Sequence, residues 1–239
     1  RQKMTNKPLH LIPVGLSTSP TSEWLPQDVR QLAATLDCYI AENAKTARAF
    51  LKLIETEQTL QDITIYNLSN KTPAQEIQTW LKAIPEGSAI GLVSEAGCPA
   101  VADPGANVVA EAHKMGIRVA PWVGPSSILL GLMASGLNGQ QFAFNGYAPF
   151  KADERAKQLK SWEQQSRRLN QTQIFIETPY RNEAMFSSLL QNLNGNTRLC
   201  VARDITGKNE WIKTATIEQW KKQPIPSLDK QATLFLFLA

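Results

Sequence analysis

The first half of the chain alternates short apolar segments with segments whose apolar residues recur at helical spacing. The pattern predicts strands at residues 9–14, 38–41, 63–68, 88–94 and 117–121. It predicts helices between and after them, at residues 28–36, 45–54, 73–84, 105–115 and 125–134. Strands that alternate with helices at this spacing indicate a mostly parallel sheet with helices on its faces.

The second half has a different pattern, in which the last strands follow one another at hairpin-like spacing. Strands are predicted at residues 142–145, 173–177, 199–203, 211–215 and 232–238, and helices at 154–166 and 181–191. Turn residues cluster at 136–139. We therefore expect an α/β fold of two lobes, with an N-terminal parallel lobe over residues 1–137 and a C-terminal mixed lobe over residues 138–239.

Composition narrows the classes of function. With 239 residues, of which 43% are hydrophobic, the chain can bury a sizeable core, and wholesale disorder is excluded. No apolar run approaches the ~20 residues of a membrane span, so we expect no membrane association. His10 and His113 are far apart, which disfavours a histidine-based zinc site or a Ser-His-Asp hydrolase. The cysteines are odd in number and widely spaced, which predicts no metal site and a reducing, cytoplasmic compartment; they are Cys38, Cys98 and Cys200.

Charge is shared unevenly, although the formal net charge is only +4. Residues 1–148 carry 11 Lys and Arg against 12 Asp and Glu, whereas residues 149–239 carry 14 against 9. The densest basic stretch runs from Lys151 to Arg168. Such a stretch attracts a polyanion such as RNA, and it equally fits a solvated helix face with charge pairs one turn apart.

The candidate chemistry lies in polar loops that follow the predicted strands. The chain has no P-loop, and Gly15 is a single glycine after the first strand, which disfavours an ordinary dinucleotide-binding fold. Residues 94–105 follow an almost continuously apolar strand and lead into a helix, which is where open α/β sheets bind ligands. In this loop Gly97 permits a close backbone approach, Glu95 accepts hydrogen bonds, and Asp103 is a candidate helix cap. A purely structural turn is the alternative.

Further strand ends carry similar groups. Residues 124–127, Gly-Pro-Ser-Ser, offer amides and hydroxyls at a helix N-terminus, where the serines also suit simple capping. In the second lobe, residues 175–181 and 201–204 end two more strands. The alternative for Glu177 and Arg181 is a local surface ion pair with no role in binding. We expect these loops to form one cleft between the lobes.

Together, these segments resemble the tetrapyrrole methylase superfamily, whose members use S-adenosyl-L-methionine. Residues 93–99 with 103–105 resemble the family's V-S-D-A-G-T-P and D-P-G loop. Residues 124–127 with 134–137 resemble G-P-S-A and A-S-G-L of one branch of the family. The branch that methylates a cytidine ribose 2′-hydroxyl in small-subunit ribosomal RNA has F-x-F-x-G-F-x-P, F-Y-E-S-P-H-R and V-A-R-E-L-T. Similar segments stand here at residues 142–149, 175–181 and 201–206.

The resemblance implies a homodimer that binds S-adenosyl-L-methionine between its lobes. It implies first-lobe contacts from Gly15, Glu95, Ala96, Gly97, Cys98, Pro99, Val101, Ser126 and Ser127. The implied second-lobe contacts are Glu177, Thr178, Ala202, Arg203, Ala232 and Thr233. An oxygen nucleophile also needs its proton removed or its bond polarised, for which the candidates are Glu42, Lys45 and Glu177. Arg48 and Arg181 are candidate substrate residues that would hold RNA phosphates.

The chain departs from that branch in segments where substrate would be engaged, first after the first strand, where the branch has P-x-G-N and residues 13–16 read Pro-Val-Gly-Leu. The branch has A-E-D-T-R-x-T-R where residues 41–48 read Ala-Glu-Asn-Ala-Lys-Thr-Ala-Arg, so that Glu42 and Arg48 are retained. Three functions therefore stay open. The branch resemblance and the basic second half favour methyl transfer to RNA or a ribosomal subunit. The altered segment 43–47 motivates two others, methyl transfer to a small molecule such as a tetrapyrrole and cofactor binding without turnover.

Overall fold

The computed structural model describes residues 5–85 and 88–239, so the first residues of the predicted N-terminal lobe lie outside it. The chain divides into two compact units, Arg1–Ser126 and Ser127–Ala239. Each unit is built on a sheet of five strands. The first sheet is parallel and the second is mixed, which confirms the predicted fold class.

The first unit contains the parallel sheet, with strand order β3-β2-β4-β1-β5. Its strands are β1 (Thr5–Leu11), β2 (Cys38–Ala41), β3 (Thr64–Asn67), β4 (Ile90–Val93) and β5 (Ile117–Pro121). The crossover helices are α1 (Gln27–Thr35), α2 (Ala44–Leu53), α3 (Ala74–Lys82) and α4 (Gly105–Lys114). All the elements predicted up to residue 121 are present, with some ends shifted. Because the strands are parallel, the loops after them lie along the same edge of the sheet.

Both faces of this sheet are buried, because successive strand residues point to opposite sides. Tyr39 of β2 packs with Phe50 in the cluster that α1 and α2 cover. The next residue, Ile40, packs with Trp80 and Val108 in the cluster that α3 and α4 cover. Gly91 in β4 leaves space for the Tyr39 ring, since a Cβ at this position would overlap it.

The second unit begins with α5 (Ser127–Ser135) and contains the mixed sheet, with strand order β6-β7-β10-β8-β9. The first two strands, β6 (Phe142–Tyr147) and β7 (Thr172–Ile176), are parallel to each other. The antiparallel strands are β8 (Arg198–Arg203), β9 (Trp211–Thr216) and β10 (Thr233–Leu238). Three more helices are α6 (Ala152–Leu169), α7 (Asn182–Asn192) and α8 (Ile217–Lys221).

The helix α5 belongs to the second unit, whereas the predicted lobe boundary falls after it, at residue 137. The helix packs closely on the second sheet because Gly131 leaves space for Leu234 of β10, whose methyl group a Cβ there would overlap. The hydroxyl of Thr214 in β9 donates to the carbonyl of Ser135 at 2.7 Å, which holds the end of the helix. The compact unit therefore starts at Ser127.

The opposite face of the second sheet carries an aromatic core. Phe175 of β7 stacks on Phe235 of the central strand β10, with ring centroids 5.5 Å apart, and Trp162 of α6 lies 5.2 Å from Phe175. The short helix α8 adds Trp220 to this core. Within the described ranges, none of the helices combines the length and apolarity that a membrane span requires.

Candidate functional site at the strand ends

The loops that follow β1 and β4 are joined by a pair of backbone hydrogen bonds. Val14 N donates to Gly97 O at 3.1 Å, and Gly97 N donates to Val14 O at 3.1 Å. Gly97 has a φ of +71°, which an L residue adopts only under strain. A Cβ at this position would lie 3.1 Å from Leu16 Cδ2 and 3.2 Å from Pro125 O. A glycine is therefore required where these loops meet.

The loop that follows β5 is held against the same two loops. The thiol of Cys98 donates to Pro125 O at 3.3 Å. Gly124 lies so close to Pro13 that a Cβ there would overlap the proline ring. The strand ends of β1, β4 and β5 therefore form one connected surface in the first unit, which brings together the predicted segments around Gly15, 95–101 and Ser126.

Trp122 and His10 anchor the start of this third loop, although neither residue is among those predicted for the site. The indole Nε1 of Trp122 donates to His10 Nδ1 at 3.0 Å, which requires an unprotonated Nδ1. Burial, with a smaller contribution from the charge of Arg118, lowers the pKa of His10 and so favours the neutral ring. Two aromatic residues at the ends of β1 and β5 are the signal that could have identified this pair.

The segment 97–105 contains strained backbone at alanines as well as at Gly97. Ala100 and Ala102 have φ values of +68° and +59°. The Asp103 carboxylate stabilises this conformation, because Oδ1 accepts from Ala100 N at 2.9 Å and from Gly105 N at 2.7 Å. The predicted cap therefore does bind the first amide of α4, and it holds the preceding turn as well. Asp103 Oδ2 is buried and has no hydrogen-bond partner among the described residues.

Three carboxylates lie near one another at this edge of the sheet. Burial raises the pKa of Glu42, and the charges of Asp103 and Glu95 raise it further. Burial also raises the pKa of Asp103, although the two backbone amides that it accepts oppose this shift. Asn43 joins the group, since its Nδ2 lies 3.4 Å from Glu95 Oε1. The edge is thus an acidic surface that favours a cationic ligand.

The altered segment 43–47 keeps a regular structure. Asn43 is the N-cap of α2, and its Oδ1 accepts from Lys45 N at 2.9 Å and from Thr46 N at 3.3 Å. The Lys45 and Arg48 side chains are exposed on this helix, whereas Glu42 is half-buried just before it.

The predicted residues of the second unit also meet, at one end of the second sheet. Since β10 is antiparallel to its neighbours β7 and β8, its first residues lie beside their last ones. Thr233 pairs with Arg203, Leu234 pairs with Ala202 and with Ile176, and Asp204 N donates to Ala232 O at 2.8 Å.

Glu177 and Arg181 form an ion pair that is largely buried on the carboxylate side. Glu177 Oε1 lies 3.1 Å from Arg181 Nη2 and accepts from Thr178 N at 2.7 Å, while the Glu177 side chain is only 2% exposed. Arg181 Nε donates to Thr178 Oγ1 at 3.1 Å. Glu177 and Arg181 therefore form a local ion pair, as one of the two interpretations predicts. The pair is not at the surface, because its carboxylate is buried.

Arg203 has a structural role at the same end of the sheet. Its Nε donates to Asn209 O and its Nη1 to Ser227 O, both at 2.9 Å. Its guanidinium also lies over the ring of Trp211, 5.4 Å from the centroid. These contacts join two loops to the end of β8.

The chain resembles solved structures of methyltransferases. The crystal structure of the methyltransferase CobJ matches with a TM-score of 0.61 at 15% identity, over 97% of this chain and 92% of that one. A uroporphyrin-III C-methyltransferase from Thermus thermophilus matches with a TM-score of 0.55 at 16% identity, over 98% and 92%. At these identities the likeness defines the class of fold, a two-unit α/β fold shared with these methyltransferases. The sequence model of the Tetrapyrrole (Corrin/Porphyrin) Methylases matches residues 9–221, and the chain belongs to this family.

Curated relatives share the name ribosomal RNA small subunit methyltransferase I. The protein of Vibrio cholerae is 32% identical over 184 residues, which is 73% of this chain and 62% of that protein. The protein of Mesorhizobium japonicum is 35% identical over 137 residues, 57% of this chain and 45% of that protein. The protein of Bacillus subtilis is 30% identical over 185 residues, 77% and 60%. The chain thus covers 45–62% of the length of these relatives.

Replacing Ala100 with glycine is expected to stabilise the protein. The substitution relieves a left-handed φ, and we expect a gain of about 0.5–1 kcal/mol after the greater chain entropy of glycine is counted. Ala110→Gly is the matched control, because Ala110 is exposed in the middle of α4, where glycine costs about 0.5–1 kcal/mol. Chemical denaturation measures both. A loss of stability in Ala100→Gly would show that the segment is not strained.

Replacing Glu42 with glutamine is expected to raise the melting temperature at neutral pH. The pKa of Glu42 is raised in the folded state, so its ionised form opposes folding above that pKa. As the pH falls toward the ordinary value of 4.5, the wild-type carboxylate takes up its proton and the advantage of the variant disappears. Thermal unfolding at neutral and at acidic pH measures this difference. Glu57→Gln, at an exposed position of the same unit, should show neither effect.

Proposed function

We propose that the chain transfers a methyl group from S-adenosyl-L-methionine to ribosomal RNA of the small subunit. The observation that carries this proposal is the set of three strand-end loops held together around Gly97, in a chain that belongs to the tetrapyrrole methylases. Relatives named as small-subunit ribosomal RNA methyltransferases support the choice of substrate.

The residues of the first unit fit the methyl donor chemically. S-adenosyl-L-methionine carries a sulfonium, an ammonium and a carboxylate, so its net charge is positive. Glu42, Glu95 and Asp103 form an acidic group whose mutual repulsion a cation would relieve. The unpartnered Asp103 Oδ2 adds a buried acceptor. The exposed positions Ala96 and Val101 leave the loop surface open to a ligand.

The donor would be held by the residues that the family resemblance implies. In the first unit these are Gly15, Glu95, Ala96, Gly97, Cys98, Pro99, Val101 and Ser126. In the second unit they are Ser127, Glu177, Thr178, Ala202, Arg203, Ala232 and Thr233. The sulfonium makes its methyl group electrophilic when bound, so the main task of the protein is alignment. Fixed positioning of two reactants contributes up to ~7–11 kcal/mol to lowering a barrier.

Among the candidate proton acceptors, Glu42 has the most suitable surroundings. A general base is most effective when its pKa lies near the working pH, and burial and neighbouring charges move Glu42 in that direction. The Glu177 carboxylate oxygen Oε1 already accepts from Thr178 N and pairs with Arg181, so it is engaged within the protein. The Lys45 side chain is exposed to solvent on α2, outside the acidic group. We therefore assign the proton-accepting role to Glu42, and Arg48 and Arg181 to the RNA phosphates.

The altered segment does not favour the other two functions. Asn43 caps α2 and leaves Glu42 in the acidic group, so the replaced residues preserve the local structure. Methyl transfer to a small molecule and binding without turnover are accordingly kept as outcomes of the test.

We also propose a homodimer in the cytoplasm. Leu129 and Met133 of α5 are 53% and 79% exposed, an apolar face that a second copy would cover. The free cysteines Cys38, Cys98 and Cys200 suit a reducing compartment. Light scattering should give twice the chain mass, and the mass of a single chain would contradict the dimer.

Methyl transfer tests the proposed function directly. We expect calorimetry to show binding of S-adenosyl-L-methionine, and we expect radiolabelled methyl groups to appear in RNA when small ribosomal subunits are supplied. Gly97→Val should abolish both, because it distorts the joined loops. Gly139→Ala, where the added Cβ meets nothing within 4 Å, is the matched control. Label found only in small metabolites, or binding with no labelled product, would reject RNA as the substrate.

A further inference from the structure

Two aromatic side chains are exposed beside Arg181 in the second unit. Phe150 is 71% exposed and Tyr180 is 77% exposed. Phe150 lies against the Arg181 guanidinium, whose Cζ is 4.7 Å from the centre of its ring. Tyr180 precedes Arg181 in the chain. We call Phe150, Tyr180 and Arg181 the aromatic platform.

Hydrogen bonds from Arg155 hold the loop of Phe150 in place. Arg155 Nη1 donates to the carbonyl of Phe150 at 3.2 Å, and Arg155 Nε donates to Ser188 Oγ at 3.0 Å. The loop that carries Phe150 is thereby joined to α6 and α7. The exposed Phe150 ring adds nothing to the core, but these hydrogen bonds define the position of its loop. A defined position is expected for a ring that binds a ligand.

Arg181 is also fixed, although part of its guanidinium stays exposed. It pairs with Glu177 at 3.1 Å and donates to Thr178 Oγ1 at 3.1 Å, and its side chain is 36% exposed. The Phe150 ring, which packs on this guanidinium, can therefore meet a ligand without a change of rotamer, which lowers the entropy cost of binding.

The charge of the surrounding unit selects the kind of partner. The second unit carries 14 Lys and Arg against 9 Asp and Glu, so it has a net positive charge. All of these charged residues lie after residue 148. Lys151, directly after Phe150, is exposed. Exposed rings among basic side chains are typical of proteins that bind single-stranded RNA. The flat face of a base stacks on the ring, and the negatively charged phosphates of the RNA attract the basic side chains.

We propose that the aromatic platform stacks unpaired bases of the RNA substrate, with Phe150 and Tyr180 as the stacking residues and Lys151 beside them for a phosphate. The proposal rests on the proposed function and extends it, because it identifies a single-stranded segment as the part of the RNA that the second unit binds. Phe150 and Tyr180 are here positioning residues that hold RNA and take no part in methyl transfer.

Direct binding of a fluorescein-labelled single-stranded oligocytidylate, followed by anisotropy, tests the platform. Phe150→Leu and Tyr180→Leu should each weaken binding about five- to a hundredfold, the effect of losing one base–aromatic stack. Phe150→Trp and Tyr180→Phe retain an aromatic ring and should bind as the wild type does. Phe142→Leu is the matched control, because Phe142 is 40% exposed at the opposite end of β6.

Salt dependence separates stacking from charge. Phe150→Leu should lower the affinity at every salt concentration without changing the slope of log K against log salt. Lys151→Gln should reduce that slope by about 0.7, the value for one phosphate of a single strand. Leucine variants that bind as tightly as the wild type, or that change the slope instead, would overturn the platform.

Methyl transfer to small ribosomal subunits distinguishes failure of the platform from failure of the proposed function. The leucine variants should raise the KM for subunits and leave the KM for S-adenosyl-L-methionine unchanged. If the wild type methylates RNA and the variants keep its KM, the platform alone is wrong. If the wild type methylates no RNA while oligocytidylate binding still depends on both rings, the platform stands and the proposed function is wrong. Variants that lose dimerisation and keep RNA affinity would assign the rings to a second copy, which also overturns the platform.

Discussion

The hydrogen-bonded pair of Val14 and Gly97 is the contact on which the first unit's candidate site depends. A parallel sheet brings the ends of its strands to one edge but leaves the loops free to diverge. Here two backbone hydrogen bonds join the loops after β1 and β4, and the close packing of Gly124 on Pro13 adds the loop after β5. Because Gly97 has no side chain, the three loops pack closely, and their backbone groups and carboxylates lie on one surface.

The two units have surfaces of different chemistry. The joined loops of the first unit carry Glu95 and Asp103, and Glu42 lies near them after β2, so the three carboxylates repel one another and favour a cation. The second unit carries an excess of basic residues, with exposed rings beside Arg181. An acidic surface suits a sulfonium donor and a basic aromatic surface suits a polyanionic acceptor. Each preference follows from the residues of its own unit.

Much of the fold could be predicted because the local patterns were strong. The strands β2 and β5 begin and end at the predicted residues, since turn residues and charges mark their limits. The helix α8 was missed, because five residues are too few to show helical periodicity, although Thr216 and Gln219 form a capping box. The helix α5 was grouped with the first lobe because its apolar residues do not show which sheet they contact. Only the packing of Gly131 on Leu234 shows this.

The site was harder to predict, because its geometry depends on contacts between distant residues. The glycine at Gly97 was recognisable, whereas left-handed alanines at 100 and 102 are not, since alanine normally avoids that conformation. The aromatic residues His10 and Trp122 stand out at the ends of β1 and β5, but only the folded chain shows the hydrogen bond between them. The roles of Arg203 in joining loops and of Glu177 as the buried member of an ion pair likewise require the folded chain.

The central claim is that the joined loops of the first unit bind a methyl donor. A crystal structure determined with S-adenosyl-L-methionine tests it most directly. The account predicts density for the donor in contact with residues 95–101 and with Gly15, and a positively charged group of the donor near Glu42. Clear density for the donor elsewhere, with these loops unliganded, would contradict it.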